Sequence, residues 1–170
     1  MAQSKLTPAT PGSSPQVALA MMSLVVLTLI GCGGDGLTGT RDVEIGGETF
    51  TLELAMTGPA RLQGLSDRES IADDGGMLFV FPNEAEREFV MRRCLVPIDI
   101  LFLGPTGKVI AAHAMAVEPA GTPERELTRY GSRGKSAVAI ELAGGTLERL
   151  GFGVGDTVSL PIMELKRRAK

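Results

Sequence analysis

Short apolar segments, most of them separated by glycine or proline, run through the chain from Val43 onward and restrict its fold more than any other feature. The Gly46–Gly47 pair separates the first two segments and suits a tight hairpin turn. "GGMLFVF" at 75–81 is a continuous apolar run that ends at Pro82, which is typical of a strand covered on both faces. No helical stretch reaches the length that a parallel crossover usually needs. The pattern therefore predicts a compact, mostly antiparallel, barrel-like α+β single domain with short helices.

The individual elements follow from the same signals. Thr57 is suited to cap a short helix that runs to Gln63 and stops at Gly64, and residues 146–150 are predicted to form one helical turn closed by Gly151. Residues 41–165 are enough for one domain with a real core. The predicted strands are 43–45, 49–54, 75–81, 89–91, 98–103, 109–115, 137–142 and 157–163.

An uncharged segment from Val17 to Gly31 precedes this domain, and its polar side chains are Ser23 and Thr28. As a helix it would span roughly 22 Å, which is short of the ~30 Å hydrocarbon core of a bilayer. Its size is typical of the apolar part of a signal peptide. We therefore predict that residues 1–31 are a cleaved export signal.

The predicted signal ends at Cys32. Residues 29–32 read Leu-Ile-Gly-Cys and resemble a bacterial lipobox, in which the cysteine sulfur receives a diacylglyceryl group before cleavage. The resemblance implies a lipoprotein that begins at acylated Cys32, is held on the membrane by its lipid, and carries a glycine-rich tether at 32–40. The expected location is outside the cytoplasm, on the inner or outer membrane. An uncleaved anchor helix and an ordinary cleaved export signal are the alternatives.

Charge argues against a nucleic-acid partner. Without the leader, which removes Lys5, the chain has 17 − 1 = 16 basic and 20 acidic residues, a net charge of −4. Proteins that bind nucleic acid usually carry an excess of basic residues, which this charge balance lacks. The basic tail 166–170 is the exception, and it is suited either to anionic lipid headgroups or to a frayed, solvated C-terminus.

Two longer segments resemble a known family. "GMLFVF" at 76–81 and "FVMRRCLVPIDILFL" at 89–103 resemble the bacterial and archaeal domain of unknown function 192, whose pattern is G-M-L-F-x-F and then F-W-M-K-N-T-x-x-P-L-D-I-x-F. "RLQGLSDRES" at 61–70 is similar to its R-x-x-G-L-x-x-R element, and "AVAIEL" and "GVGDTV" are similar to its closing strand pair. The chain departs from the pattern at Val90, where tryptophan is usual. The resemblance implies a mostly β, often exported domain without an established activity.

Asp99 is the most unusual polar residue of the predicted strands, because alternation puts it on the face of Leu101 and Leu103. A buried carboxylate is costly unless an arginine, several N–H donors or a proton compensates it. Asp99 with Arg61, Arg92 and Arg93 is therefore the candidate ligand site, and Arg68 is a further possible partner. The alternative is an internal pair that merely orders the strand.

Metals and cofactors are not predicted. If Cys32 is acylated, only Cys94 remains and no intramolecular disulfide can form, while His113, as the single histidine, cannot build a multi-histidine zinc site. No phosphate-binding, dinucleotide-binding or nucleophile motif has the required spacing and context.

Two functions are compatible with these observations. The first is a membrane-tethered envelope domain that binds, without catalysis, a small anionic or sugar-like ligand or an envelope protein. The alternative is a hydrolase or lyase in which Asp99 acts as an acid–base group with an arginine or Glu141.

Overall fold

The structure, a computed structural model, describes residues 39–170. The predicted signal peptide, Cys32 and most of the tether lie outside these residues. The strands are β1 (Thr40–Ile45), β2 (Glu48–Ala55), β3 (Gly75–Ala85), β4 (Glu88–Phe89), β5 (Ile98–Leu103), β6 (Val109–Met115), β7 (Tyr130–Gly131) and β8 (Ser136–Ala143). The helices are α1 (Gly58–Gln63), α2 (Thr146–Leu150) and α3 (Ile162–Arg168), and a 3-10 turn covers Glu124–Glu126.

Six strands form one mixed sheet in the order β1-β2-β3-β8-β5-β6, and β4 pairs with β7 in a separate two-stranded sheet. Neighbours in the large sheet are antiparallel except β2 and β3. The prediction of a single, mostly antiparallel α+β domain with short helices is therefore confirmed. The sheet is open instead of barrel-like, because β1 and β6 are its two edges and do not pair with each other.

Local signals placed the first elements correctly. Ile45 pairs with Glu48 across Gly46 and Gly47, whose positive φ angles of 61° and 85° fit a two-residue hairpin turn. The Thr57 hydroxyl oxygen accepts a hydrogen bond from the Ala60 N–H at 3.3 Å and caps α1. The parallel pairing of β2 with β3 needs no long helix, since the connection at 56–74 combines α1 with an extended loop.

Both faces of the sheet are buried, as the continuous apolar run at 75–81 predicts. One face, here called the helix face, packs against α2 and α3. The other, here called the loop face, packs against the segment that follows α1 and against 89–94. Strand alternation divides β8 between them: Val138 and Ile140 lie on the helix face, and Ala139 lies on the loop face.

The predicted strand at 157–163 is wrong. Thr157 makes a single isolated bridge to Lys108, and the chain then enters α3, where Ile162 and Leu165 are buried on one side. Spacing of three residues puts these two side chains on the same face of a helix, which packs on the sheet.

The basic tail is docked and is not a frayed end. Lys166 lies within α3 and pairs with Glu84 at 2.5 Å, and the Lys170 N–H donates to the Met56 carbonyl oxygen at 2.9 Å. The predicted strand at 89–91 is shorter than expected and ends at Phe89, and Arg93 adopts a positive φ of 52°. Within residues 39–170, no helix is long and apolar enough to cross a membrane.

Candidate functional site

A cavity of about 320 Å³ opens on the loop face and is here called the Glu141 pocket. Glu141 forms its floor, Phe79 and Phe89 contribute to its walls, and Arg61, Arg92 and Arg129 lie around its mouth. A volume of this size is at the lower end of the ~300–1,000 Å³ typical of small-molecule sites. The pocket therefore suits a ligand of about monosaccharide size.

Glu141 occupies the centre of the sheet. On β8 it pairs with Met77 of β3 and Ile100 of β5, and alternation turns its side chain toward the loop face. It is 6% exposed and lines the cavity. Among residues 39–170, no hydrogen-bond or ion-pair partner holds its carboxyl group. A cavity is therefore the one place in which this polar group can find a partner.

Burial decides the charge of this group. The apolar surroundings raise the pKa of the Glu141 carboxyl from 4.5 to about 8, and no neighbouring charge is a cause of the shift. At neutral pH the side chain is therefore an uncharged acid, with one O–H donor and one carbonyl acceptor open to the cavity.

Cys94 lies beside this acid but is chemically quiet. The thiol is free and buried, and its sulfur donates weakly to the Arg92 carbonyl oxygen at 3.7 Å. Burial, with the nearby charges of Glu141 and Asp67, raises the pKa of the thiol to about 11. Since the thiolate is the nucleophilic form, Cys94 is a packing residue at neutral pH.

Arg61 is fixed by the fold. Its Nη1 donates to the Val80 carbonyl oxygen at 2.8 Å and its Nη2 to the main-chain oxygen of Lys170 at 2.7 Å, while the guanidinium lies 5.0 Å from the Phe81 ring centroid. Burial lowers the pKa of this guanidinium. Arg61 therefore borders the pocket mainly as a structural residue.

The other two arginines are more available. Arg92 pairs with Glu124 at 3.1 Å and donates to the Leu62 carbonyl oxygen at 3.0 Å. Arg129 is half-exposed and has a long ion pair of 3.5 Å with Glu88. Three arginines and two glutamates surround the mouth of the pocket and give it a net charge of +1. The Glu141 acid at the floor is uncharged at neutral pH.

The structure brings Arg61 and Arg92 together at one pocket but places Asp99 elsewhere. Asp99 is 2% exposed and lies on the helix face, where its Oδ2 accepts the Leu147 N–H at 2.8 Å near the start of α2. No arginine forms an ion pair with it in the described part of the chain. This geometry fits the alternative of an internal contact, although the partner is a backbone N–H and not a guanidinium.

Arg93 and Arg68 are also outside the Glu141 pocket. Arg93 forms a two-pronged ion pair with Asp67 at 2.9–3.2 Å, and Arg68 pairs with Glu53 at 2.8 Å. The Arg93–Asp67 pair ties the segment after α1 to the segment at 89–94, as does the Asp67 N–H bond to the Arg93 carbonyl oxygen at 2.8 Å. It thereby fixes the two segments that form one side of the pocket.

The sequence predicts only a secondary role for Glu141, as a possible acid–base partner of Asp99. The signal was present, because "AVAIEL" at 137–142 places one acid in an apolar predicted strand, as "PIDILFL" does for Asp99. What the sequence lacked was the identity of the segments that cover each acid. Asp99 also lines a cavity, of about 280 Å³ on the helix face, but it accepts the Leu147 N–H there, whereas Glu141 has no partner among residues 39–170.

Comparison with known proteins agrees with the described fold. The model of the DUF192 family, described as "Uncharacterized ACR", matches residues 41–160. A crystal structure of a "putative transcription regulator" from Sinorhizobium meliloti 1021 is 30% identical, with a TM-score of 0.62 over 74% of this chain and 97% of that one. A protein of unknown function from Novosphingobium aromaticivorans DSM 12444 is also 30% identical, with a TM-score of 0.62 over 72% and 85% of the two chains. No curated protein matches.

Proposed function

The chain belongs to the DUF192 family, which is described as uncharacterized, so we propose a function from its own pocket. The protein is a non-catalytic domain that binds a small polar ligand over Glu141. It is tethered to the cell envelope through acylated Cys32. The carrying observation is the Glu141 carboxyl group, buried, without a partner among residues 39–170, and open to a cavity of about 320 Å³. Among residues 39–170, no side-chain oxygen that is fully shielded from solvent lacks a hydrogen-bond partner, so the Glu141 carboxyl group is reached by solvent through the cavity. A ligand hydroxyl can replace water at this carboxyl group and form its hydrogen bonds.

The binding function is favoured over the acid–base alternative through Asp99. The carboxylate of Asp99 holds the Leu147 N–H on the helix face, away from the pocket. The thiol of Cys94 is protonated at neutral pH because burial raises its pKa to about 11. The chemistry that faces the cavity is therefore hydrogen bonding and charge, which serve recognition without requiring a reaction.

The regulator description belongs to the Sinorhizobium meliloti protein. For this chain, a net charge of −4 after removal of the leader (16 basic and 20 acidic residues) argues against a nucleic-acid partner. We retain an envelope protein as a further partner class, through the larger groove of about 670 Å³ that exposes Leu95 and Val117 beside Arg93.

The tether is tested by intact-mass spectrometry of the protein taken from its native membrane. We expect a chain that begins at Cys32 and carries the added mass of at least two acyl chains, since one chain anchors only marginally. The Cys32→Ser variant should keep its leader and lose the added mass. Unchanged processing and membrane retention of Cys32→Ser would contradict the lipid anchor.

The binding function is tested by thermal unfolding of the purified full chain against wall fragments and metabolites. A true ligand at about 100 times its Kd should add about 2.7 kcal/mol to the free energy of unfolding. For a domain of this size, the midpoint should rise by on the order of 10 °C.

Two variants show whether such a shift arises in the Glu141 pocket. Val90 lines the pocket, so Val90→Trp should fill it and abolish the shift. Val154 is 67% exposed and lies outside it, so Val154→Trp adds the same ring without affecting the shift. If no compound raises the midpoint at saturating concentration, the binding function is wrong.

A further inference from the structure

We propose that the ligand class of the Glu141 pocket is an acidic sugar, a hydroxyl-bearing ring with one carboxylate or phosphate group. In this arrangement the ring hydroxyls meet Glu141 at the floor and the anionic group meets Arg129 and Arg92 at the mouth. This inference rests on the binding function proposed above and specifies its ligand.

The floor requires an uncharged partner. Met77 and Ile100 flank Glu141 on the neighbouring strands, and Phe79 covers the same region of the loop face. None of the three arginines that line the pocket forms an ion pair with Glu141, so an anion placed beside this acid would lack a paired cation. A sugar hydroxyl both donates and accepts hydrogen bonds, and it can therefore match the O–H and the carbonyl oxygen of the protonated acid.

The walls fit the apolar surface of a sugar ring. Phe89 is half-buried and lies edge-to-face with Phe79, with ring centroids 5.0 Å apart. Aromatic walls next to a few polar groups are a common composition of small-molecule sites. The C–H face of a pyranose is flat and apolar, and it can cover Phe89 while the hydroxyls reach the floor.

The mouth selects for negative charge. Arg129 has the weakest attachment of the three arginines, with one ion pair to Glu88 at 3.5 Å and half of each side chain exposed to solvent. A carboxylate or phosphate can replace Glu88 and make two parallel bonds to a guanidinium, which is a stronger arrangement. A cationic ligand instead meets a mouth whose net charge is positive.

The ionisation of Glu141 predicts a pH dependence of ligand affinity. As Glu141 ionises, it loses its O–H donor and acquires a charge that repels the anionic ligand, so affinity should fall as pH rises through about 8. The strands beside Glu141 contribute Met77 and Ile100, which do not titrate. The titratable and charged side chains that face the pocket or act on its Cys94 are Arg61, Asp67, Glu88, Arg92, Arg93, Cys94, Glu124 and Arg129.

The test compares three sugars with one ring and three charges: glucuronate, glucose and glucosamine. Calorimetric titration of the purified full chain should give glucuronate the highest affinity, up to about fivefold above glucose, because a half-exposed ion pair contributes at most about 1 kcal/mol. Glucosamine should bind most weakly. The affinity for glucuronate should fall about tenfold between about pH 7 and about pH 9, as the protonated fraction of Glu141 falls. Glucose 6-phosphate distinguishes the phosphate form of the ligand from the carboxylate form.

Variants separate the two halves of the site. Glu141→Gln keeps a donor and an acceptor, so it should bind glucuronate with no fall in affinity at high pH. Arg129→Gln should reduce the preference for glucuronate over glucose, because only Arg92 then remains to bind the anionic group. Arg149→Gln removes an equally exposed arginine, which pairs with Glu48 outside the pocket, and it should change neither affinity.

The outcomes distinguish this inference from the binding function itself. Equal affinity for all three sugars, or a preference for glucosamine, overturns the acidic-sugar assignment while leaving a small-ligand site. Binding of none of them also overturns it, and the metabolite series with Val90→Trp then decides the binding function separately. An unchanged pH dependence in Glu141→Gln removes Glu141 from recognition.

Discussion

Glu141→Gln should increase the free energy of unfolding at neutral pH and remove most of its fall at higher pH. The unfolded carboxyl loses its proton near its ordinary pKa of 4.5, whereas burial holds the folded pKa at about 8. Between these values the folded state binds more protons, so stability is complete below about 4.5 and is lost as pH rises through 8. At 1.36 kcal/mol per pKa unit, the full loss is about 5 kcal/mol, of which about 3 kcal/mol has already occurred at pH 7.

Urea unfolding at about pH 5, 7 and 9 measures this effect. The wild-type protein should lose stability progressively over the series, whereas Glu141→Gln should lose much less. Glu44→Gln provides the matched control, since Glu44 is exposed on β1 and its neutralisation should leave the wild-type profile unchanged. Parallel profiles for the wild type and Glu141→Gln would show that Glu141 is not held as a buried acid.

Gly76→Ala should destabilise the protein by more than about 4 kcal/mol, enough to prevent folding of a domain of ordinary stability. A Cβ at Gly76 would lie 2.2 Å from the Glu141 carbonyl oxygen and 3.0 Å from the Leu52 Cδ2 atom. The φ angle of 150° adds strain for any other residue. The clash of this Cβ with the Glu141 carbonyl oxygen can be relieved only if β3 and β8 separate next to Glu141.

Circular dichroism and urea unfolding of Gly76→Ala test this expectation. Gly153→Ala is the matched control, because a Cβ at Gly153 has no heavy atom within 4 Å and this residue has no positive φ. It should be neutral or slightly stabilising through the reduced entropy of the unfolded chain. Wild-type stability of Gly76→Ala would mean that β3 and β8 are not packed at this distance.

Much of the fold could be predicted because its signals are local. The Gly46–Gly47 turn, the Thr57 cap and the apolar run at 75–81 each act within a few residues, and each was confirmed. Membership in the family was predicted from ordered motifs and is confirmed by the match over 41–160. The prediction for the C-terminal segment is wrong because the alternation at 157–163 resembles a strand. Ile162 and Leu165 instead pack on the sheet from one side of a helix.

The site was less predictable because it depends on distant segments. Burial of Asp99 followed from strand alternation, but its donor, Leu147, is 48 residues away in the chain. Glu141 gave the same local signal and acquires its different role from α1, Ser66 and the 89–94 segment, which leave a cavity over it. Alternation predicts which side chains enter a face of the sheet, but the packing of distant segments decides whether a hydrogen-bond donor meets them there.

The central claim is that Glu141 is a protonated acid at neutral pH. The most direct test is an NMR pH titration of its side-chain carboxyl carbon in the ligand-free protein, with the signal assigned by comparison with Glu141→Gln. We predict a chemical-shift midpoint at about pH 8, with an uncharged acid at neutrality. A midpoint near the ordinary value of 4.5 would contradict it, since the pocket would then have an ionised floor that repels the proposed ligand.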